Sequence, residues 1–161
     1  MSGYRIRASK LPEDAAIGRA FIFGLQTFEH AMEDDRRLDA SVAGEFFDVL
    51  AGRVAEKDGR IFIAEDDQSA AIGWAVCFVD ENEIYVEPAV RRYGYISELY
   101  LVEGRRGQGI GRALIAECEA HFRALGLKRM MIGVVATNTR AQRSYLSAGF
   151  RPYSEMLVKA L

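Results

Sequence analysis

A glycine-rich turn lies in the middle of the chain, with two arginines before three glycines on alternate positions: Arg105, Arg106, Gly107, Gly109 and Gly111. Glycine lets the backbone take positive φ and lets a ligand approach it closely. Successive backbone N–H groups then converge on one concavity, and the dipole of a helix beginning at about Ile110 adds partial positive charge. With the two guanidinium charges, this pattern predicts a site for a phosphate or diphosphate group.

The spacing of the turn separates it from two common nucleotide sites. The Walker A motif requires a lysine followed by serine or threonine, and no such pair occurs in the sequence. The dinucleotide fingerprint requires Gly-x-Gly-x-x-Gly, whereas the third glycine here comes one residue too early. A protein that used this loop for ATP would also lack a metal-binding aspartate, so ATP is the weaker alternative.

Two segments resemble one known family. Residues 106–111, Arg-Gly-Gln-Gly-Ile-Gly, fit the pattern Gln/Arg-x-x-Gly-x-Gly/Ala and resemble the coenzyme A diphosphate loop of the GCN5-related N-acetyltransferase (GNAT) family. Residues 138–150 are similar to that family's Asn-x-x-Ala-x-x-x-Tyr-x-x-x-Gly-Phe. In this second segment Asn138 is a natural helix N-cap, and Ala141 and Tyr145, four residues apart, share one helical face. Phe150 is expected to begin the next strand as a core anchor.

The resemblance implies transfer of an acetyl group from acetyl-CoA to a primary amine, by direct attack in a ternary complex. The glycine loop would hold the diphosphate, and the strand before it would pair with the pantetheine arm as an added strand does. A backbone N–H near Leu101 would stabilise the oxyanion. The implied cofactor-binding residues are Leu99, Tyr100, Leu101, Arg106, Gly107, Gln108, Gly109, Ile110, Gly111 and Asn138.

Tyr145 occupies the position of the family's general acid. A phenol has a pKa near 10, so it stays protonated at neutral pH and can give its proton to the departing thiolate. Tyr100 is a weaker candidate, because its strand position is equally typical of core packing.

The general base is less clearly marked. The positions where family members often carry a glutamate hold Tyr95, Ser97 and Gly133. Glu98 is the nearest carboxylate and is taken as the candidate base, although regular strand alternation would point it to the face opposite Tyr95 and Ser97. Glu83, Glu87 and a water relay are the alternatives.

In the fold that the resemblance implies, the acceptor meets the first two helices and the loop between them. That segment is rich in acids: Glu29, Glu33, Asp34, Asp35 and Asp39. An acidic rim attracts a cationic amine such as a polyamine, an aminoglycoside or a peptide N-terminus, although Arg36 and Arg37 cancel part of its charge. We expect a small-molecule acceptor; the alternatives are a protein N-terminal acetyltransferase and a CoA-binding regulatory or sensor module without catalysis.

Length and composition limit the possible domain organisation, partners and location of the protein. The 161 residues suggest a single domain over residues 1–161, and the net charge of −2 argues against a nucleic-acid partner. Cys77 and Cys118 lie in apolar patterns and are expected to be buried free thiols. No Cys/His spacing suits a metal, and no apolar run suits a signal peptide or a membrane span, so we expect no metal cofactor, no membrane partner and a cytoplasmic location. A homodimer is left open.

The elements that must position these residues follow from hydrophobic periodicity. The predicted order is β-α-α-β-β-β-α-β-α-β, an α/β fold with a mixed sheet and helices on both faces. Strands are predicted over residues 4–8, 60–65, 71–79, 95–102, 128–135 and 150–161, and helices over residues 15–29, 41–55, 110–125 and 138–147. Residues 84–86 could extend a strand.

Overall fold

One mixed sheet organises the computed structural model, which describes residues 3–161. Its strands lie side by side in chain order: β1 (Tyr4–Ala8), β2 (Arg60–Asp66), β3 (Ala71–Glu81), β4 (Arg92–Leu101) and β5 (Met130–Ile132). Neighbours pair antiparallel from β1 to β4, and β4 pairs parallel with β5. A parallel pair needs a crossover connection, which here contains a helix. The predicted mixed sheet is confirmed.

The helices cover both faces of this sheet, as predicted. They are α1 (Ala15–His30), α2 (Ala40–Glu56), α3 (Pro88–Arg91), α4 (Ile110–Ala124) and α5 (Thr139–Ser147). Helices α1 and α2 pack on one face, and α4 packs on the other.

Alternation along β2 and over Trp74 to Phe78 of β3 builds a separate core on each face; Ile72 is an extra residue of β3, because Gly73 pairs with Ala64 and Ala71 pairs with Glu65. Phe62, Ala75 and Cys77 face α4, whereas Ile63 and Trp74 face α1 and α2. Strands buried on both faces read as continuous apolar runs, which explains the composition of β3. Cys77 and the α4 residue Cys118 are both buried free thiols, as expected.

Strand β4 departs from alternation at Ser97. Val76 of β3 pairs with Glu98 but the next residue, Cys77, pairs with Ile96, so Ser97 is an extra residue in β4. Such a bulge reverses the faces of the residues beyond it. Ile96 and Leu99, three residues apart, accordingly both pack on the α4 side, while Tyr95 and Tyr100 pack on the side of α1 and α2.

The start of α1 is tied to the sheet by a buried ion-pair network. Asp14, at the N-cap position, accepts hydrogen bonds from the Arg7 guanidinium at 2.7 and 2.9 Å and from the Lys10 backbone N–H at 2.6 Å. Arg7 also donates to Glu65 of β2 at 2.6 Å. These hydrogen bonds from Arg7 hold the pKa of Asp14 at about 2.

Three predicted strand segments differ from the structure. Residues 150–161 form no strand, and residues 84–86 lie in a turn before α3. Strand β5 is three residues long rather than eight, because only Met130 to Ile132 find backbone partners on β4. Phe150 nevertheless packs against the core on the α4 side, so its predicted anchoring role is confirmed without the strand.

Candidate active site

A cleft of about 360 Å³ opens between α1, β4, the glycine loop, the segment after β5 and α5. That volume lies within the range of small-molecule sites. Two packing contacts fix its walls: the rings of Phe21 on α1 and Tyr100 on β4 lie 5.5 Å apart, and those of Tyr145 on α5 and Phe150 lie 6.1 Å apart.

The glycine loop borders this cleft in the conformation that its sequence predicts. Gly107 and Gly109 line the cleft and have φ values of 80° and 82°. Gly109 is also the N-cap of α4, so the positive end of the helix dipole lies at the loop. A side chain at either glycine would be strained in this left-handed backbone region. Gly111, which also lines the cleft, is already within the helix.

Three arginines give the cleft its positive charge. Arg106, Arg112 and Arg140 all line it, and none of the three has a carboxylate partner among residues 3–161. Arg105, predicted to contribute, instead forms an ion pair with Asp66 at 2.8 Å. Arg112 and Arg140 were missed in the sequence analysis, because their approach to the loop depends on helix packing. Unpaired guanidinium groups beside exposed loop N–H groups fit a polyanion such as a diphosphate.

The other predicted cofactor-binding residues divide into two groups. Leu99, Tyr100, Leu101 and Asn138 line the cleft. Gln108 and Ile110 do not: the Gln108 amide donates to the Gly104 carbonyl at 3.0 Å, and the Ile110 side chain is buried in the core.

Asn138 acts as the predicted cap of α5. Its side-chain oxygen accepts a hydrogen bond from the Ala141 backbone N–H at 3.1 Å. This satisfies one of the free N–H groups at the helix start and fixes the orientation of α5. The cap therefore helps to hold Tyr145, further along the same helix, at the cleft.

Tyr145 lies on α5, partly buried, and lines the cleft. Burial, assisted by the negative charge of Glu29, raises the pKa of Tyr145 to about 12. The phenol therefore stays protonated throughout the neutral range and is available as a proton donor.

Glu98 lies on the face of the sheet covered by α1 and α2. The prediction that it points away from Tyr95 is wrong, because the bulge at Ser97 reverses the alternation between them. Burial raises the pKa of Glu98 to about 8; the charge of Glu29 acts in the same direction and that of Arg53 opposes it. Glu98 is not among the residues that line the cleft, whereas its neighbours Ser97 and Leu99 are.

Glu29 is the acidic residue of the predicted rim that reaches the cleft. Within residues 3–161, it is the lone carboxylate of the lining. Its partner Arg36 donates to it at 3.1 Å and also pairs with Asp35, while Asp39 pairs with Arg37 at 2.8 Å. Much of the rim charge is thus neutralised locally, and Glu29 is the part that faces the site.

The other candidate bases lie elsewhere. Glu83 and Glu87 are exposed in the segment before α3 and do not border the cleft. Gly133 does line the cleft, and a Cβ at Gly133 would lie 3.3 Å from the Tyr95 hydroxyl. Gly133 and Tyr95, two positions where family members often carry a glutamate, are therefore neighbours in this structure.

In the described part of the chain, no group of three or more His, Cys, Asp or Glu side chains could hold a metal ion. None of the helices within residues 3–161 is both long and apolar enough to cross a membrane.

The Acetyltransferase (GNAT) family profile matches residues 25–150, which include the C-terminal part of α1, the glycine loop and α5. The chain belongs to the GNAT acetyltransferase family. Among curated proteins, a mycothiol acetyltransferase of Frankia casuarinae is 35% identical over 111 residues, covering 66% of this chain and 32% of that protein. The chain thus spans about a third of the length of that relative.

Solved structures of acetyltransferases share the fold. A GCN5-related N-acetyltransferase from Ralstonia eutropha superposes with a TM-score of 0.76 at 24% identity, covering 98% of this chain and 99% of the other. The aminoglycoside N-acetyltransferase AAC(6')-Iy, bound to the bisubstrate analogue CoA-S-monomethyl-acetylneamine, superposes with a TM-score of 0.69 at 18% identity, covering 99% of both chains. At these identities the likeness establishes the fold.

Proposed function

We propose that this GNAT protein is an acetyl-CoA-dependent N-acetyltransferase that acetylates a primary amine on a small molecule, by direct attack in a ternary complex. One observation carries the proposal: the glycine loop with its unpaired arginines, the partly buried phenol of Tyr145 and the carboxylate of Glu29 all line a single cleft. Anion binding, proton donation and amine recognition are thus available in one place.

The cofactor would lie along the positive part of this cleft. The N–H groups at Gly107 and Gly109, with Arg106, would bind the CoA diphosphate. The backbone of Leu99 to Leu101 would pair with the pantetheine arm, and an N–H near Leu101 would donate to the oxyanion. The thioester of acetyl-CoA supplies the acetyl group.

The protein's own side chains would move the protons. Glu98, with a pKa of about 8, is suited to accept a proton from the acceptor's ammonium near neutral pH. Since Glu98 lies just behind the lining, we expect one bridging water to carry that proton. Tyr145 would then protonate the departing thiolate, and the second proton lost by the attacking nitrogen as the amide forms would return to the Tyr145 phenolate, directly or through water.

Glu29 indicates the acceptor's charge. Arg36 pairs with one oxygen of Glu29 at 3.1 Å and offsets part of its charge, but the carboxylate still lines the cleft, where it attracts the cationic form of an amine and repels carboxylates. This favours polyamines and aminoglycosides over acidic acceptors, and the bisubstrate complex of AAC(6')-Iy shows that the fold accommodates an aminoglycoside in a relative.

A thiol-release assay with acetyl-CoA and an amine panel tests this function. The panel contains a polyamine, neamine, a peptide with a free N-terminus and an acidic amine. We expect amine-dependent release of CoA thiol and a matching acetylated product by mass spectrometry, with cationic small molecules preferred. Tight CoA binding without turnover on any amine would instead indicate a sensor module, and preferential binding of ATP would indicate a nucleotide site.

A further inference from the structure

The guanidinium of Arg106 lies over an aromatic ring of helix α1. Its central carbon lies 4.0 Å from the centre of the Phe28 ring, and both residues line the cleft. Phe28 belongs to α1, whereas Arg106 precedes the first glycine of the loop. The contact therefore joins two elements that are far apart in sequence.

This stack occupies the face of the guanidinium and leaves its N–H edge free. Arginine binds phosphate through that planar edge, while its face can rest on an aromatic ring at the same time. Within residues 3–161, Arg106 has no carboxylate that would compete for the edge. The side chain is thus held in one place with its donors still available.

Core packing does not account for the Phe28 ring. Phe28 is half-buried and belongs to neither of the two hydrophobic clusters that fill the faces of the sheet. Its neighbours on α1, Phe21 and Ile22, supply that packing instead. Phe28 lies where α1 borders the cleft, immediately before Glu29.

We propose that Phe28 is a positioning residue for CoA binding: its ring holds the Arg106 guanidinium at the cleft wall with the N–H edge turned toward the diphosphate. This inference rests on the proposed CoA site. Holding a flexible arginine in its bound position lowers the ordering cost of binding. Because Glu29 follows Phe28 on the same helical turn, the stack also links the cofactor loop to the part of α1 that faces the acceptor.

Calorimetry with CoA on four proteins tests the role: wild type, Phe28→Leu, Arg106→Gln and the double variant. We expect Arg106→Gln to weaken CoA binding by roughly tenfold or more and Phe28→Leu by roughly threefold to tenfold. The double variant should bind no more weakly than Arg106→Gln alone, because both changes remove one interaction.

Two further variants separate positioning from a structural role. Phe28→Tyr keeps an aromatic face and should restore wild-type affinity. Phe23→Leu removes a ring that is 38% exposed on the same helix and does not contact Arg106, so CoA affinity should be unchanged. Circular dichroism and thermal melts of each variant confirm that the fold is intact.

The outcomes distinguish this inference from the function on which it rests. Unchanged CoA affinity in Arg106→Gln would overturn both the diphosphate site and the role of Phe28. A loss in Arg106→Gln with wild-type affinity in Phe28→Leu, or losses that add fully in the double variant, would overturn the role of Phe28 alone.

Discussion

Glu98 and Tyr95 lie on the same face of the sheet although they are three residues apart, because the bulge at Ser97 shifts the alternation of β4 by one residue. The bulge turns a carboxylate that would face α4 toward α1 and α2 instead. There, burial and the charge of Glu29 raise the pKa of Glu98. A local irregularity of one strand thus supplies the candidate base in a family site that lacks the usual glutamates.

Glu29→Gln should shift the pH dependence of catalysis. Burial raises the pKa of Glu98, and the negative charge of Glu29 raises it further, so neutralising Glu29 lowers it. If Glu98 is the base, the rise of kcat/KM with pH should move to lower pH in the variant. Glu33→Gln, which removes an exposed charge from the neighbouring loop, is the control and should leave the midpoint in place. If the midpoint of the pH profile does not move in Glu29→Gln, the charge of Glu29 does not influence the catalytic base, which would contradict this prediction.

Tyr145→Phe should reduce turnover by roughly 10²-fold or more, the scale of a lost positioned acid. The ring still packs against Phe150, so the fold and the CoA affinity should persist. The loss should appear in kcat more than in KM, because the proton is needed only as the thiolate leaves. Tyr85→Phe, at an exposed tyrosine, provides the control. Near-normal kcat in Tyr145→Phe, with chemistry rate-limiting, would leave water as the proton donor.

Gly109→Asp should abolish most CoA binding, because it places a side chain and a negative charge at the loop that would hold the diphosphate. Gly126→Asp is a matched control: Gly126 also has positive φ, at 76°, but it follows the far end of α4, away from the cleft. Calorimetry should therefore show a large loss of CoA affinity in the first variant and none in the second. Equal affinities in the two variants would place the diphosphate elsewhere.

Asp14→Asn should destabilise the fold at neutral pH. Hydrogen bonds from Arg7 hold the pKa of Asp14 at about 2, below its unfolded value of 3.8. The stabilisation is therefore present above about pH 4 and is lost as the pH falls toward 2; its size is about 2 kcal/mol. Urea titrations across this range should show a lower and flatter unfolding free energy for Asp14→Asn than for wild type. The Glu13→Gln variant, at an exposed position, should match wild type. If the unfolding free energy of Asp14→Asn changes with pH as steeply as that of wild type, the ion pair with Arg7 does not contribute to stability.

Features determined by neighbouring residues could be predicted from the sequence. The alternate glycines predict the positive φ of Gly107 and Gly109, and Asn138 predicts its own cap on α5. The apolar repeat of α4 predicts its start at Ile110. Each of these depends on interactions within a few residues, which local patterns describe well.

Features determined by partners distant in sequence could not be predicted from the sequence. The bulge at Ser97 depends on how β4 pairs with β3, and its omission gave the wrong face for Glu98. The approach of Phe28 to the cleft depends on how α1 packs over β4, and so does the fact that Glu29 is the rim acid that reaches it. The apolar pattern of residues 150–161 suggests a strand, but a strand needs backbone partners that the pattern alone does not guarantee.

The pH dependence of kcat/KM in wild type and Glu98→Gln, with one amine from the panel, tests most directly whether this cleft transfers an acetyl group with Glu98 as base. Because both proteins use the same acceptor, its own ionisation affects both profiles alike. We predict that wild-type activity rises through a pKa near 8, and that Glu98→Gln loses this rise and falls by roughly 10²-fold at the plateau. A folded Glu98→Gln protein with the wild-type profile and plateau would contradict the account.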